Sequence, residues 1–334
     1  DTGRGKCIVF RMPGEDISFQ DEIRGKLQKK AEDLKDFVIL RSDGTPVFHL
    51  ANVVDDIFMG ITHVIRGDDH MENTFRHIAL FRALDAEPPR YAHLPMIVNA
   101  NGKPYSKRDG AAYVGEFRDA GFLPDALFNF LALLGWSPGN DIEIMTREQM
   151  IQYFDLARVK PSPARFDMKK LEWMNNKYIC MLPLTRFIDY AKQAVSATGW
   201  NVDVSSEYFQ RVCALLQSRT NTFDDIKQWG YFFKEEIDYD ESAVQKTLKK
   251  PGMKDILSAL KTLLETVDFT VNSIEDSIHK IEQAYSIPQG KLNFPIRIAI
   301  TGISRGAGLY ETMEILGKKR CIDRLNYAIA NLCG

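Results

Sequence analysis

Residues 59–99 read MGITHVIRGDDHMENTFRHIALFRALDAEPPRYAHLPMIVN, and this stretch decides the fold class. It begins with a short β-branched run that ends at Gly67. A helical stripe of apolar residues follows at Phe75, Ile78, Ala79 and 81–84. A second short apolar run, HLPMIVN, ends the stretch. Strand, helix and strand in this order predict one βαβ unit, and such units bind ligands beside the carboxyl ends of their strands.

The residues on either side of this unit favour two other kinds of structure. Before it, CIVFRMP and ISFQDEI alternate with period two, and DFVILRSDGTPVFHL places two apolar runs around a turn at 42–44, so residues 1–50 are predicted to be rich in strands. After Gly110 the periodicity becomes helical and stays so to Gly334. The predicted fold class is therefore α/β with a β-rich piece, followed by an all-α part.

Capping signals mark several helix boundaries in the second half. Pro124 stands near the first turn of an apolar helix that Gly135 ends. Residues 146–149, TREQ, fit a capping box. Asp167 fits an N-cap, and the helix after it is predicted to bury one stripe of side chains: Leu171, Met174 and Tyr178.

Composition excludes several classes of protein. The 334 residues are 45% hydrophobic and 26% charged, which is ordinary for a soluble globular chain of more than one domain. No apolar run of about 18 residues occurs, and DTGRGKCIVF lacks the order of a secretory signal, so we expect a cytosolic protein without a membrane span. A net charge of −2 argues against a strongly basic nucleic-acid coat protein, although a local basic cluster can still bind RNA.

The cysteines argue against disulfides and structural zinc. They are scattered, without any CxxC or CxxH spacing: Cys7, Cys180, Cys213, Cys321 and Cys333. We expect reduced, mostly buried thiols.

The segment NGKPYSKRDG, residues 101–110, places three cations in a loop of turn-forming residues: Lys103, Lys107 and Arg108. One hypothesis is a mobile loop whose cations grip a polyphosphate, with Gly102 and Gly110 permitting it to open and close. The other is a solvated surface turn, and the composition of the loop alone favours this second hypothesis.

The segment VIRGDDH, residues 64–70, ends the first predicted strand and starts the helix. Arg66 is placed either to bind an anionic group such as a carboxylate or to pair with a neighbouring acidic side chain. Asp68 and Asp69 suit a helix N-terminus. A metal site that adds His70 is the weaker alternative, because adjacent residues point in different directions.

The segment FHLANVVDD, residues 48–56, is apolar with few polar members. Asn52 either binds a ligand or caps the next element, and His49 is interpreted as a structural histidine. No P-loop, nucleophile-elbow or Cys–His pattern is present, so these three chemistries have no support.

Taken in order, these segments resemble bacterial-type glutamyl-tRNA synthetases, which are class I aminoacyl-tRNA synthetases. The resemblance rests on six stretches along the chain: 36–56, 60–84, 93–111, 121–139, 166–179 and 298–325. It identifies 101–110 as the family's mobile KMSKS loop. It implies the C-terminal part of a Rossmann-like catalytic domain with a β-rich insertion, followed by helical stem-contact and anticodon-binding domains.

The resemblance also implies domain bounds. They are 1–47 for part of the acceptor-stem insertion, 48–101 for the second half of the catalytic domain, 102–183 for the signature loop and stem-contact domain, and 184–334 for the anticodon domain, with a break near 243–252. The family's His-x-Gly-His signature occurs nowhere in the sequence. We therefore expect the N-terminal segment that carries it to be missing and this chain to be inactive alone.

Site residues follow from the resemblance one position at a time. The catalytic loop residues are Ser106, Lys107 and Arg108, with Lys107 on the ATP phosphates. The ATP site adds four residues, of which two line the adenine side: Asp69, His70, Met96 and Ile97. The glutamate site takes Phe48, Asn52, Arg66 and His70, with Arg66 on a carboxylate. Arg219 is implied in reading the anticodon.

Two positions depart from the family pattern. Pro104 stands where the first lysine of the loop signature is usual, and Lys103, one residue earlier, is not expected to reach the same phosphate. Phe48 stands where tyrosine is common, which removes a hydroxyl that can bond substrate.

The implied function is ATP-dependent ligation of glutamate to tRNA(Glu) through a glutamyl-adenylate, with Mg²⁺ arriving on ATP and no zinc. We expect a monomer with tRNA(Glu), glutamate and ATP as partners and no membrane. The alternative is a noncatalytic tRNA-binding module derived from a synthetase. The helical tail disfavours glutamine-charging relatives and enzymes that glutamylate a modified tRNA base. Candidate RNA-phosphate contacts are Lys169, Lys170, Lys249, Lys250 and 318–320.

Overall fold

A computed structural model describes residues 5–139 and 141–334 of the chain. They form two compact units. The first comprises the described residues of Asp1–Val114 and Leu127–Leu171, and the second comprises Gly115–Ala126 and Glu172–Gly334. In the described ranges no helix is long and apolar enough to cross a membrane.

The strands of the described residues are β1 Ile8–Phe10, β2 Ile17–Asp21, β3 Gly25–Lys29, β4 Phe37–Leu40, β5 His63–Gly67, β6 Arg90–Leu94, β7 Ile97–Val98 and β8 Ala164–Arg165. The helices are α1 Phe48–Phe58, α2 Met71–Ala83, α3 Val114–Asp119, α4 Pro124–Ala132, α5 Arg147–Tyr153, α6 Met168–Met181, α7 Leu184–Ser196, α8 Glu207–Leu216, α9 Gly230–Phe233, α10 Glu241–Thr247, α11 Met253–Thr266, α12 Val271–Ala284, α13 Asn293–Thr301, α14 Leu309–Leu316 and α15 Lys318–Asn331.

The first unit is built on a four-stranded sheet in the order β3-β2-β6-β5. Strands β5 and β6 are parallel, with His63 opposite Arg90 and Gly67 opposite Leu94, and α2 connects them. The predicted order of strand, helix and strand is therefore confirmed, but the second strand is misplaced: β6 overlaps the predicted run HLPMIVN only at His93 and Leu94, and Ile97–Val98 pairs with β8 instead. Strand β2 lies parallel to β6 on its other side, where it pairs Asp21 with Tyr91, and β3 runs antiparallel to β2. Apolar side chains of β2, α2 and β6 form the core beneath the sheet: Ile17, Phe75, Ile78 and Tyr91.

The segment 37–50 corrects one expectation. Strand β4 pairs with β1, and the predicted turn is present, with Gly44 at a φ of 82°. The second apolar run, however, does not form a strand beyond a single bridge between Leu40 and Pro46. The chain becomes helical at Phe48, because α1 buries Val53 completely against side chains of α2.

Helix signals in the middle of the chain are largely confirmed. Pro124 is the first residue of α4, and the hydroxyl of Thr146 accepts a hydrogen bond from the N–H of Gln149 at 3.2 Å in a full capping box. Asp167 accepts from the N–H of Lys169 at 2.9 Å. Leu171 and Met174 are fully buried in α6, but Tyr178 is only partly buried; Ile179 takes the buried position there.

Helices form the second unit, as the periodicity predicts. Their buried faces build one core from Leu123 to Ala328. Gly302 ends α13 at a φ of 78°, and a Cβ there would lie 2.0 Å from the carbonyl oxygen of Asp238, so only glycine fits. The guanidinium of Arg324 is buried in this core and donates to the carbonyl oxygens of Ile300, Tyr231 and Lys234 at 2.7–2.9 Å.

The cysteine expectation is only half right. All five thiols are free, but Cys7 and Cys180 are exposed and Cys333 is partly buried. Only Cys213 and Cys321 lie in the helical core, where burial raises the pKa of each thiol to about 12.

Candidate active site

One edge of the sheet in the first unit gathers most of the predicted site residues. Since β5 and β6 are parallel, their carboxyl ends meet at the pair Gly67–Leu94. A short 3-10 turn, Asp68–His70, follows β5, and residues 95–97 follow β6. Arg66, Asp69, His70, Met96 and Ile97 therefore belong to the edge where parallel sheets of this kind bind ligands.

The guanidinium of Arg66 is held on one side and free on the other. Its Nη2 donates to the hydroxyl of Thr74 at 2.7 Å and to the carbonyl oxygen of His70 at 3.3 Å. Among the described residues it has no ion pair, and its Nη1 has no hydrogen-bond partner. Burial lowers the pKa of Arg66, while the nearby Tyr91, Asp56 and Asp69 oppose that shift. A half-buried cation with an unused N–H group suits an anionic ligand.

The other predicted glutamate-site residues lie on α1 and beside it. The Phe48 ring is 53% exposed, and its centroid lies 5.8 Å from that of His70. The side chain of Asn52 is partly buried and makes no hydrogen bond within the ranges the structure describes. Phe48 and His70 are thus brought together, and the amide of Asn52 lies on the helix that also carries Phe48.

His49 is structural, as interpreted from the sequence. Its Nδ1 lies 3.2 Å from Nε2 of the buried His77, and its ring packs on Phe37. Burial lowers the pKa of His77 to about 3, helped by repulsion from Arg66, and burial also lowers the pKa of His49. The two rings are therefore neutral in the folded protein near neutral pH.

The His49–His77 pair predicts a loss of stability in mild acid. The unfolded chain takes up protons on these histidines below about pH 6.5, whereas folded His77 resists protonation down to about pH 3. As the pH is lowered through this window, the free energy of unfolding should therefore decrease by about 1.4 kcal/mol per pH unit for one such proton. Urea titrations of the wild type and His77→Gln between about pH 7 and about pH 5 should show a weaker pH dependence in the variant. His63→Gln, at an exposed histidine, is the control; an equal change there contradicts the assignment.

The signature loop has a braced frame and free cations. The carboxylate of Asp109 accepts from the N–H and hydroxyl of Ser106, both at 2.9 Å, and from the amide of Asn99 at 2.8 Å. Lys107 and Arg108 are exposed, and neither forms an ion pair with any described residue. The loop therefore presents both cations to solvent on a fixed turn.

Asp109 and Asn99 are site residues that sequence reasoning missed. The hydrogen bonds from Asn99 and Ser106 hold the pKa of Asp109 below its usual value. The charged carboxylate is thus the acceptor that ties these two residues together. The spacing of Ser106 and Asp109 was the available signal, because Ser-x-x-Asp is a common local bracing pattern.

The acidic residues after β5 are held by neighbouring side chains. Asp68 pairs with Arg24 at 2.6 Å, and Asp69 lies 3.7 Å from Nε2 of His70. No group of three or more His, Cys, Asp or Glu side chains suited to a metal occurs among residues 5–139 and 141–334. Asp68 and Asp69 lie in the first turn of the 3-10 segment that precedes α2, and the carboxylate of Asp68 is the ion-pair partner of Arg24.

Met96 and Ile97 line the link between β6 and the loop. The carbonyl oxygen of Met96 accepts from the N–H of Ala164 at 2.9 Å, and Ile97 pairs with Ala164 across β7 and β8. The side chain of Ile97 is 39% exposed, so it offers an apolar surface at the sheet edge.

In the second unit, Arg219 lies exposed in the 3-10 turn Gln217–Arg219. The amide of Asn176 fixes the backbone on both sides of it by donating to the carbonyl oxygens of Ser218 and Thr220, at 3.2 and 2.9 Å. Arg297 is close enough for repulsion from Arg219 to reinforce the burial that lowers its pKa, and its buried Nη1 has no hydrogen-bond partner among the residues that the structure describes. Arg219 is thus the exposed cation of this turn, whereas the Nη1 of Arg297 is closed to solvent.

Several candidate phosphate contacts are engaged within the protein. Lys170 pairs with Glu143, and Lys319 pairs with Asp323 at 3.2 Å. Lys318 donates to the carbonyl oxygen of Glu265 at 3.1 Å, and Arg320 donates to that of Phe232 at 2.7 Å. Arg320 is thus a structural residue, because its guanidinium satisfies a backbone carbonyl.

Two family models match the chain. The model described as "tRNA synthetases class I (E and Q), catalytic domain" matches residues 1–173, and "Anticodon binding domain" matches residues 185–329. The first match covers all of the predicted active-site residues, and the second covers Arg219.

Similar individual proteins belong to the same class of enzyme as the first family model. The chain is 38% identical to "Glutamate--tRNA ligase 1" of Syntrophomonas wolfei, covering 98% of this chain and 67% of the relative, and 37% identical to the glutamate–tRNA ligase of Geobacillus stearothermophilus, covering 98% and 68%. The crystal structure of a glutamate tRNA ligase from Elizabethkingia meningosepticum in complex with its amino acid matches with a TM-score of 0.80 and 33% identity, over 98% of this chain and 68% of that one. The chain spans about two thirds of the length of these relatives. The fold class predicted from the sequence is confirmed, and the chain belongs to the glutamate–tRNA ligase family of class I aminoacyl-tRNA synthetases.

Proposed function

We propose that this chain carries the carboxylate-binding, ATP-loop and anticodon-reading parts of an enzyme that ligates glutamate to tRNA(Glu). The observation that carries the proposal is Arg66 at the carboxyl edge of the parallel strands, where its Nη1 has no partner in the described part of the chain. A guanidinium there can bind one carboxylate of glutamate, with Asn52 and His70 as neighbouring polar groups.

The proposed chemistry has two steps. A carboxylate oxygen of glutamate attacks the α-phosphorus of ATP, which forms glutamyl-adenylate and releases pyrophosphate. A terminal ribose hydroxyl of the tRNA then attacks the acyl carbon and releases AMP. Negative charge builds on phosphate oxygens in the first step, where Lys107 stabilises it and Mg²⁺ enters bound to the ATP substrate.

We assign to the remaining residues the roles that the family resemblance implies. Met96 and Ile97 offer an apolar surface to adenine, and Asp69 and His70 lie beside the substrate and the adenosine. Ser106 holds the turn on which Lys107 lies, and Arg108 adds a second exposed cation beside Lys107. In the second unit, Arg219 reads the anticodon of the tRNA.

The proposed domain bounds are 1–47, 48–101, 102–183 and 184–334. The proposed break near 243–252 overlaps the last five residues of α10 and the turn before α11. We propose a monomer.

We expect the 334 residues on their own to bind tRNA(Glu) but to make no adenylate. Arg66 supplies one cationic partner, whereas glutamate carries two carboxylates that both need one. The measurement is ATP–pyrophosphate exchange with glutamate and tRNA, run on the 334-residue chain and on the full-length product of its gene, with filter binding of labelled tRNA(Glu).

The outcomes separate the two candidate functions. Exchange by the full-length product, and tRNA binding by both, supports a ligase. The exposed Arg219 also suits a noncatalytic tRNA-binding module, and tRNA binding without exchange by either protein would assign that function instead. No binding of tRNA by either protein contradicts both candidates.

A further inference from the structure

A buried hydrogen-bonded pair of side chains lies behind the candidate carboxylate site. Asp21 ends β2 and His93 lies in β6, and both side chains are 0% exposed. The carboxylate of Asp21 accepts from Nδ1 of His93 at 2.6 Å and from the N–H groups of Ile23 and Arg24 at 3.0 and 2.8 Å. Burial alone raises the pKa of Asp21, but these hydrogen bonds outweigh it and leave the pKa lowered. Asp21 is therefore a charged, fully paired acceptor.

This pair fixes the direction of a longer hydrogen-bond chain. Burial lowers the pKa of His93, so the ring is neutral and carries its proton on Nδ1, facing Asp21. Its Nε2 is then an acceptor, 3.1 Å from the hydroxyl of Thr74 and 3.4 Å from Nε of Arg66. When Thr74 donates to His93, its oxygen keeps a lone pair for Nη2 of Arg66 at 2.7 Å.

The same contacts decide which part of Arg66 remains for a ligand. Nη2 gives its N–H groups to Thr74 and to the carbonyl oxygen of His70, and Nε faces His93. The face of the guanidinium also lies over the ring of Tyr91, with Cζ 5.8 Å from the centroid. Only Nη1 has no partner among the described residues.

We propose that Asp21, His93 and Thr74 are positioning residues that hold Arg66 with Nη1 turned toward the substrate carboxylate. The proposal rests on the proposed function, since it requires Arg66 to bind glutamate. It predicts contact through Nη1 alone, because Nη2 is already committed to Thr74 and His70. It also assigns a role in amino-acid binding to β2, which lies in the segment 1–47 proposed as the acceptor-stem insertion.

The test is a double-mutant cycle in the full-length gene product. Thr74→Val removes the hydroxyl and should raise the KM for glutamate about 10-fold, since a hydrogen bond to a charged group is lost. The KM for ATP should stay within about twofold, and Thr74→Ser, which keeps the hydroxyl, should stay close to the wild type. In an Arg66→Ala background, Thr74→Val should have no further effect on glutamate, because its influence passes through Arg66.

The cycle distinguishes failure of this inference from failure of the proposed function. If Arg66→Ala leaves the KM for glutamate unchanged, Arg66 does not bind substrate and both fail. The positioning chain alone is wrong if Arg66→Ala raises the KM for glutamate but Thr74→Val does not. It is also wrong if Thr74→Val raises this KM equally in the wild-type and Arg66→Ala backgrounds. Thermal unfolding of every variant is measured, and Thr74→Ala is read in the same cycle if Thr74→Val does not fold. Asp21→Asn alters the far end of the same hydrogen-bond chain and should also raise the KM for glutamate.

Discussion

Arg66→Ala in the full-length gene product is expected to lower kcat/KM for glutamate by about 100-fold or more, with the KM for ATP little changed. The free Nη1 is the cationic group that the described residues place at the sheet edge beside β5. Without this group, a substrate carboxylate loses its hydrating water on binding and gains no charged partner. The resulting loss of binding free energy is far larger than that from losing a hydrogen bond between neutral groups. Steady-state pyrophosphate exchange with varied glutamate, and then varied ATP, measures both constants.

Two further variants sharpen this expectation. Arg66→Lys keeps the charge but has no planar fork, so it cannot hold Thr74 and the substrate together and should recover only part of the loss. Arg76→Ala is the matched control: Arg76 lies on α2, with Nη1 3.4 Å from Nε2 of His49 and its guanidinium over the ring of Phe37. The substrate role of Arg66 is refuted if Arg66→Ala and Arg76→Ala raise the KM for glutamate equally.

The parts of the fold that the sequence predicts well have local signals. The β-branched run before Gly67 and the apolar stripe of α2 lie next to each other, and the capping box at Thr146 spans four residues. Each of these is decided by neighbours in the chain, so periodicity and capping rules suffice. The start of α1 is different. A short apolar run fits a strand or a helix equally well, and the contact of Val53 with Leu80 and Phe81 decides between them.

The candidate site divides in the same way. Arg66 and Lys107 stand in contiguous segments through which the family resemblance implies their roles, although the composition of the loop 101–110 alone favours a surface turn. His93 and Asp21 are 72 positions apart and meet only because β2 and β6 become neighbours in the sheet. Nothing local distinguishes Asp21 from a surface aspartate. The positioning chain behind Arg66 is therefore visible only in the three-dimensional structure.

Lys107→Ala is expected to slow glutamyl-adenylate formation by about 10²–10³-fold while the affinity for glutamate survives. Lys107 is exposed, it has no ion pair with any described residue, and Asp109 and Asn99 brace the turn that carries it. Its charge is therefore available for the phosphate oxygens, where negative charge increases in the transition state. Single-turnover adenylate formation, with glutamate binding measured by calorimetry, separates the rate from the affinity.

Lys103 supplies the matched control for this prediction. It belongs to the same loop and is also exposed, but its N–H and carbonyl oxygen are both bonded to Asn99, which fixes it in the arm before the signature residues. Lys103→Ala should therefore reduce the rate by less than about tenfold, because a lysine that lies outside the phosphate contact contributes only long-range charge. Equal losses in the two variants would mean that the loop attracts ATP by total charge alone. An unchanged rate in Lys107→Ala would remove this lysine from the chemistry altogether.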